Sequence, residues 1–89
     1  MQKLLQDKSL GANIRRLRKA AGLTQPQLVA KIQLAGGTIG DATTLAKIEA
    51  GVRNIRVTDL VAMQKIFSCA YEEFFHGLWP LTRGGPYPI

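Results

Sequence analysis

The chain reads as an all-α domain, a compact bundle of five short helices, and three observations predict it. Apolar residues recur at three- and four-residue spacing along most of the chain, and no stretch alternates apolar and polar residues as a half-buried strand does. The periodic segments are punctuated by residues that start and stop helices: Ser9, Thr24, Asp41 and Thr58 before them, and Gly22, Gly36, Gly37 and Gly51 after them. Hydrophobic residues make up 46% of the 89 residues and charged residues 20%, a balance that supports a folded core over a disordered basic tail. A chain of this size has room for one domain and buries roughly 60 to 65% of its unfolded surface without metal or disulfide staples.

Each element has its own signal. Ser9 is placed to cap a first helix, with Leu10, Ile14, Leu17 and Ala21 on one face and Arg15, Arg16, Arg18 and Lys19 mostly off it. Residues 1–8 then form an N-terminal extension, and Gly22 ends the helix. Thr24 followed by Gln27 is a capping box, and Pro26 falls in the first turn, where its missing N–H costs nothing. The spacing predicts a second helix from Gln25 to Leu34 that buries Leu28, Val29 and Ile32.

Gly36, Gly37 and Gly40 open a loop, after which Asp41 caps a third helix closed by Gly51. Leu45 and Ile48 face inward on it, while Ala42, Thr43, Ala46 and Lys47 face outward. So short a helix is marginal alone in water and must be held by its neighbours. The basic, turn-like "VRNIRV" leads to a fourth helix capped by Thr58, with Leu60, Val61, Met63, Ile66 and Phe67 apolar. A fifth short helix spans about Tyr71 to His76 and presents Phe74 and Phe75, and residues 77–89 form a Gly- and Pro-rich irregular tail.

Charge and chemistry narrow the function classes. Twelve Lys and Arg oppose six Asp and Glu, a formal net charge of +6, and residues 1–31 hold seven bases against one acid, Asp7. A polyanionic partner fits that asymmetry, although a basic surface also serves solubility alone. Cys69 is the only cysteine, so no disulfide can close within the chain and a reducing, cytoplasmic location is expected. No export signal and no apolar run near the roughly 20 residues of a membrane span is visible. One histidine, His76, one cysteine and the adjacent acids Glu72 and Glu73 make no nucleophile with its base and no metal-ligand cluster, so neither catalysis nor a metal or cofactor is expected.

The middle of the chain carries the functional signal. A short helix with small side chains near its N-terminus can enter a major groove about 12 Å wide and bring side chains to base edges. Thr43, Thr44 and Lys47 are suited to such contacts, because lysine donates to guanine O6 and N7 and threonine bonds base edges or touches a thymine methyl.

The segments "IRRLRKAAGLTQPQLVAKI" and "TTLAKIEAGVRN" resemble the phage-repressor and Cro-type helix-turn-helix family, the lambda-repressor-like or Xre class. That family typically reads I-R-x-x-R-x-x-x-G-L-T-Q-x-x-L-A-x-x-L, then S-x-I-S-x-I-E-x-G-x-R. The match covers residues 9–76, with G-L-T-Q and I-E-x-G-x-R in the expected order. The resemblance implies a bundle of the lambda-repressor-like type around a central helix-turn-helix, and double-stranded DNA as partner. Gln25 resembles the glutamine that bonds backbone phosphate, Arg53 and Asn54 match residues that grip phosphate, and Ala42, Thr43, Thr44 and Lys47 occupy base-facing positions. Arg18 and Glu49 resemble the pair that ties the first helix to the third. The resemblance further implies a bacterial or phage-encoded transcriptional regulator, a repressor acting as a homodimer.

One departure from the family is plain: "QLAGGTIGD" is longer than the family's single-glycine turn. Two readings stand. Lengthening a flexible loop costs only about 0.6 kcal/mol per doubling, so a neutral insertion is tolerable. Alternatively, the amides of Gly36, Gly37 and Thr38 approach a phosphate. The tail keeps two further readings open, since Leu78, Trp79 and Leu81 can make a dimer contact or cover the domain's own core. The rival function is a protein-interaction module, such as an antitoxin that binds a partner protein through "LWPLTRGGPYPI", with DNA binding secondary. A structural nucleoid protein, binding without sequence preference, is a third.

Overall fold

The structure, a computed structural model, describes residues 2–78, and within them the chain forms four α-helices, one 3-10 turn and no strand. The helices are α1 (Gln2–Ala20), α2 (Gln25–Leu34), α3 (Ala42–Glu49) and α4 (Val57–Phe67), followed by the 3-10 turn Tyr71–Phe75. Helix α1 packs on α3 and on the 3-10 turn, while α2 packs on α3 and α4. The tail beyond Leu78, with Trp79 and Leu81, lies outside the described residues.

Three boundaries differ from the sequence reading. Helix α1 begins at Gln2, so Ser9 lies inside it and residues 2–8 continue the same helix. Nothing between Gln2 and Ser9 breaks a helix, and a serine within a helix-forming run is no start signal by itself. Helix α4 begins at Val57 with Arg56 in the cap position and no side-chain cap, so Thr58 lies in its first turn. No Glu or Gln follows Thr58 at the third position to complete a capping box, whereas Asp59 supplies the acid that the first turn favours. The fifth element is a 3-10 turn and not an α-helix, with Phe74 fully buried and Phe75 half-buried.

The start of α2 carries both bonds of a capping box, from the Gln27 amide to Thr24 Oγ1 and from the Thr24 amide to Gln27 Oε1. Asp41 accepts from the Thr44 amide at 2.8 Å and so starts α3. Helices α1, α2 and α3 all stop in the same manner. A glycine at positive φ (Gly22 76°, Gly36 89°, Gly51 82°) turns the chain, and two amides return to carbonyls of the last turn, as Gly51 N does to Ile48 O and Val52 N to Lys47 O.

Ile14, Leu17, Leu28, Val29, Ile32, Ile39, Leu45, Ile48, Ala62, Met63 and Phe74 make one core, and Ile39 comes from the connector, not from a helix. Ala21, expected on the buried face of the first helix, is exposed because the chain has already begun to turn there. Asn13 on α1 is buried and donates from Nδ2 to the carbonyls of Phe74 at 2.9 Å and His76 at 2.8 Å, which fastens the end of the described chain to α1.

Gly11 decides how closely α1 and α3 approach. It is buried in α1, and a Cβ there would overlap the carbonyl oxygens of Ile48 and Glu49. Those are backbone atoms of α3, so relief requires the helices to move apart. Gly11→Ala is therefore expected to destabilise the fold by about 1–3 kcal/mol through overpacking, overriding the roughly 0.5–1 kcal/mol that alanine gains over glycine at an open helical site. Gly40→Ala, where a Cβ meets nothing within 4 Å, is the control and should leave the urea midpoint unchanged or raised. Equal midpoints for the two variants would remove Gly11 as the contact that sets the spacing.

Candidate nucleic-acid interface

Helix α3 is too short to stand alone, and polar bonds hold its C-terminal end against its neighbours. Arg18 and Glu49 are both buried, 7% and 8% exposed. Arg18 donates from Nε to Glu49 Oε2 at 2.7 Å and from Nη2 to Glu49 Oε1 at 3.1 Å, the forked geometry that arginine favours with a carboxylate. Its Nη1 donates to the Leu23 carbonyl at 2.8 Å, and Gln25 Nε2 donates to Glu49 Oε1 at 3.1 Å. One buried cluster thus joins α1, the turn after it, the start of α2 and the end of α3. Among the described residues no buried side-chain nitrogen or oxygen lacks a hydrogen-bond partner.

The residues named from the sequence fall around α3. Thr43 and Lys47 are exposed, one turn apart on the same face, and Ala42, Thr44 and Ala46 are half-buried beside them. A shallow notch lined by Arg15, Gln25, Ala46 and Ala50 borders one side of the helix. On the other side Arg53 and Asn54, both exposed, line a cleft with Thr44 and Ile48. Gln25 therefore flanks the outward face on one side and Arg53 with Asn54 on the other. Gln25 also has a partner within the fold, since its amide reaches Glu49. Arg15 and Arg16 are both exposed: Arg15 lies beside Gln25, and Arg16 donates to the Glu73 carbonyl at 3.3 Å and lies 3.6 Å from its carboxylate.

The connector from residue 35 to residue 41 is bonded into the fold, so its glycines do not make it a flexible loop. The Gly36 amide donates to Gln33 O and the Gly37 amide to Ile32 O, and the Thr38 amide donates to the Asp59 carboxylate. All three amides considered for a phosphate are therefore engaged within the protein. The segment is tied in further by side chains: Ile39 is buried in the core, Thr38 Oγ1 donates to Asp59 Oδ2 at 2.6 Å, and Gln33 Nε2 donates to the Ile39 carbonyl. Asp59 is the residue that sequence reasoning missed. Its partner lies 21 positions away in a stretch whose glycines signal a loop, so no local pattern marks it.

Other chemistry is sparse. Burial, and then Glu73, push the Cys69 thiol up, away from the thiolate that a nucleophile needs. Among the described residues no three His, Cys, Asp or Glu side chains gather as metal ligands, and no helix is long and apolar enough to cross a membrane. Comparison of the chain with protein-family models, with curated proteins and with solved structures finds no match.

The polar bonds at the two ends of α3 can each be tested by stability. Glu49→Ala leaves the Arg18 guanidinium buried without its counter-charge and is expected to cost about 3–5 kcal/mol, whereas replacing both partners with apolar residues of similar volume costs far less or nothing. Urea unfolding of the single and double variants measures the difference, and a single variant as stable as the parent would show the pair to be solvated. The Thr44 backbone amide, and then its side chain, hold the Asp41 carboxyl below the usual aspartate range. A lowered folded-state pKa means that the cap's contribution is present above the unfolded value of about 3.9 and is lost as pH falls through the folded one. Asp41→Asn keeps a capping oxygen without the titration, so its melting temperature should fall less steeply below about pH 4 than that of the parent. Parallel curves would exclude a contribution from the Asp41 charge.

Proposed function

We propose that the chain is a sequence-specific binder of double-stranded DNA that regulates transcription through α3, in a helix-turn-helix of the lambda-repressor-like type. One observation carries the reading: an eight-residue helix, held from within by buried polar bonds, turns Thr43 and Lys47 outward between two flanks of phosphate-competent side chains. In this reading Ala42, Thr43, Thr44 and Lys47 meet base edges in the major groove. Gln25, Arg53 and Asn54 fix the register on backbone phosphates, which position a protein without carrying sequence information. The pattern "IRRLRKAAGLTQPQLVAKI … TTLAKIEAGVRN" supports the same assignment, as does the excess of bases. Action as a cytoplasmic repressor and as a homodimer on a two-fold site belongs to the proposal, resting on the family resemblance and on half-site geometry.

The test is duplex affinity across a salt series, comparing a sequence selected by the full chain from a random library with a scrambled duplex. A preference of about a thousandfold or more and a steep negative salt slope are expected. Lys47→Ala should lose about 1–3 kcal/mol on the selected duplex and little on the scrambled one. Equal losses on both would make Lys47 a phosphate contact, and no preference in the parent would leave a binder of the nucleoid type.

A further inference from the structure

We propose that Asp59, acting through Thr38, is a positioning residue that sets the seat of α3 on DNA, so that the long connector is a strut contributing to specificity. The inference rests on the DNA-binding reading above and concerns what sets its selectivity. Asp59 lies in the first turn of α4 and is 2% exposed, and its carboxylate accepts both the amide and the hydroxyl of Thr38. Thr38 precedes by three residues Asp41, the cap that starts α3. Between them Ile39 is anchored in the core at 3% exposure, and Gln33 Nε2 reaches the carbonyls of Ile39 and Gly40 from α2. Gly37 completes the fit, since a Cβ there would meet the Ile32 side chain and come within 2.6 Å of Asp59 Oδ1.

The N-terminal end of α3 is thus tied to α2 and α4 through the connector, while its C-terminal end is tied to α1 through Glu49. A reading helix held at one end alone could pivot, and base readout demands geometry within hydrogen-bond tolerance. Nonspecific attraction to phosphates depends on charge and tolerates such a pivot. The clamp therefore acts on discrimination between sequences and leaves the salt-dependent affinity for any duplex unchanged.

Three variants of the full chain separate this role from simple stability. Asp59→Ala removes both bonds, and Thr38→Val removes only the hydroxyl bond while leaving the acid at the start of α4. Asp59→Asn can accept from the Thr38 amide through Oδ1 and donate to Thr38 Oγ1 through Nδ2, so it is the conservative rescue. The ratio of affinities for the library-selected and scrambled duplexes is the readout, with the salt slope measured alongside. A drop in that ratio of about tenfold or more for Asp59→Ala, a smaller drop for Thr38→Val, recovery in Asp59→Asn and an unchanged salt slope are expected. Should Asp59→Ala fail to fold, Thr38→Val and Asp59→Asn carry the comparison. A ratio unchanged in Thr38→Val, with only its melting temperature lowered, overturns the positioning role while leaving the DNA reading intact. A parent chain with no preference between duplexes overturns both.

Discussion

The fold turns on the buried pair of Arg18 and Glu49. Helix α3 buries Leu45 and Ile48, each worth roughly 1.5–3 kcal/mol of transfer free energy, but two apolar side chains do not fix the rotation of an eight-residue helix about its own axis. The forked bond from Arg18 does, because a planar guanidinium and a planar carboxylate meet well in few orientations. Taking both charges out of water costs several kcal/mol, and the cost is met only because Leu23 O and Gln25 Nε2 complete the cluster. What the pair contributes above all is a defined orientation for α3, and net stability comes second.

Gly11 and the ion pair act together. Gly11, Ile14 and Arg18 lie at positions i, i+3 and i+7 of α1, one stripe that spans about 10 Å of helix. At one end the missing side chain lets α1 rest on the last carbonyls of α3, in the middle Ile14 enters the core, and at the other end Arg18 reaches Glu49. A helix pushed outward at Gly11 would lengthen the Arg18 bonds, so packing and electrostatics constrain the same crossing.

Much of this was legible from local pattern. The Thr24 and Gln27 box and the Asp41 cap each concern neighbours three positions apart, and the apolar spacing of Leu28, Val29, Ile32, Leu45 and Ile48 declares their burial directly. The signals that failed were of two kinds. Ser9 and Thr58 are residues of cap type that sit inside helices, where the flanking sequence propagates the helix through them. Asn13 and Asp59 have partners 61 and 21 positions away, and nothing local distinguishes a polar residue that will be buried from one that will be solvated. The connector was misread for the same reason: its glycines advertise freedom, while the bonds that remove that freedom come from α2 and α4. Arg18 is the instructive middle case, since it lies next to three exposed cations and only the pairing implied by the resemblance marked it as different.

The disposition of acids around α3 gives the net charge a location. Glu49 is turned inward against Arg18, Asp59 is turned inward against Thr38, and Asp41 is engaged by the Thr44 amide at the start of the helix. The cations that border the same helix, Arg15, Lys47, Arg53 and Arg56, are all exposed. Each acid near α3 is thus used to build and hold the helix, and the field presented outward is dominated by the bases. In the proposed DNA-binding reading, a polyanion approaching α3 would meet these four exposed bases around the face that Thr43 and Lys47 occupy, beside the helix that the buried carboxylates hold. The proposed division of labour follows from that geometry: exposed bases bring the duplex in, and buried acids decide how α3 meets it.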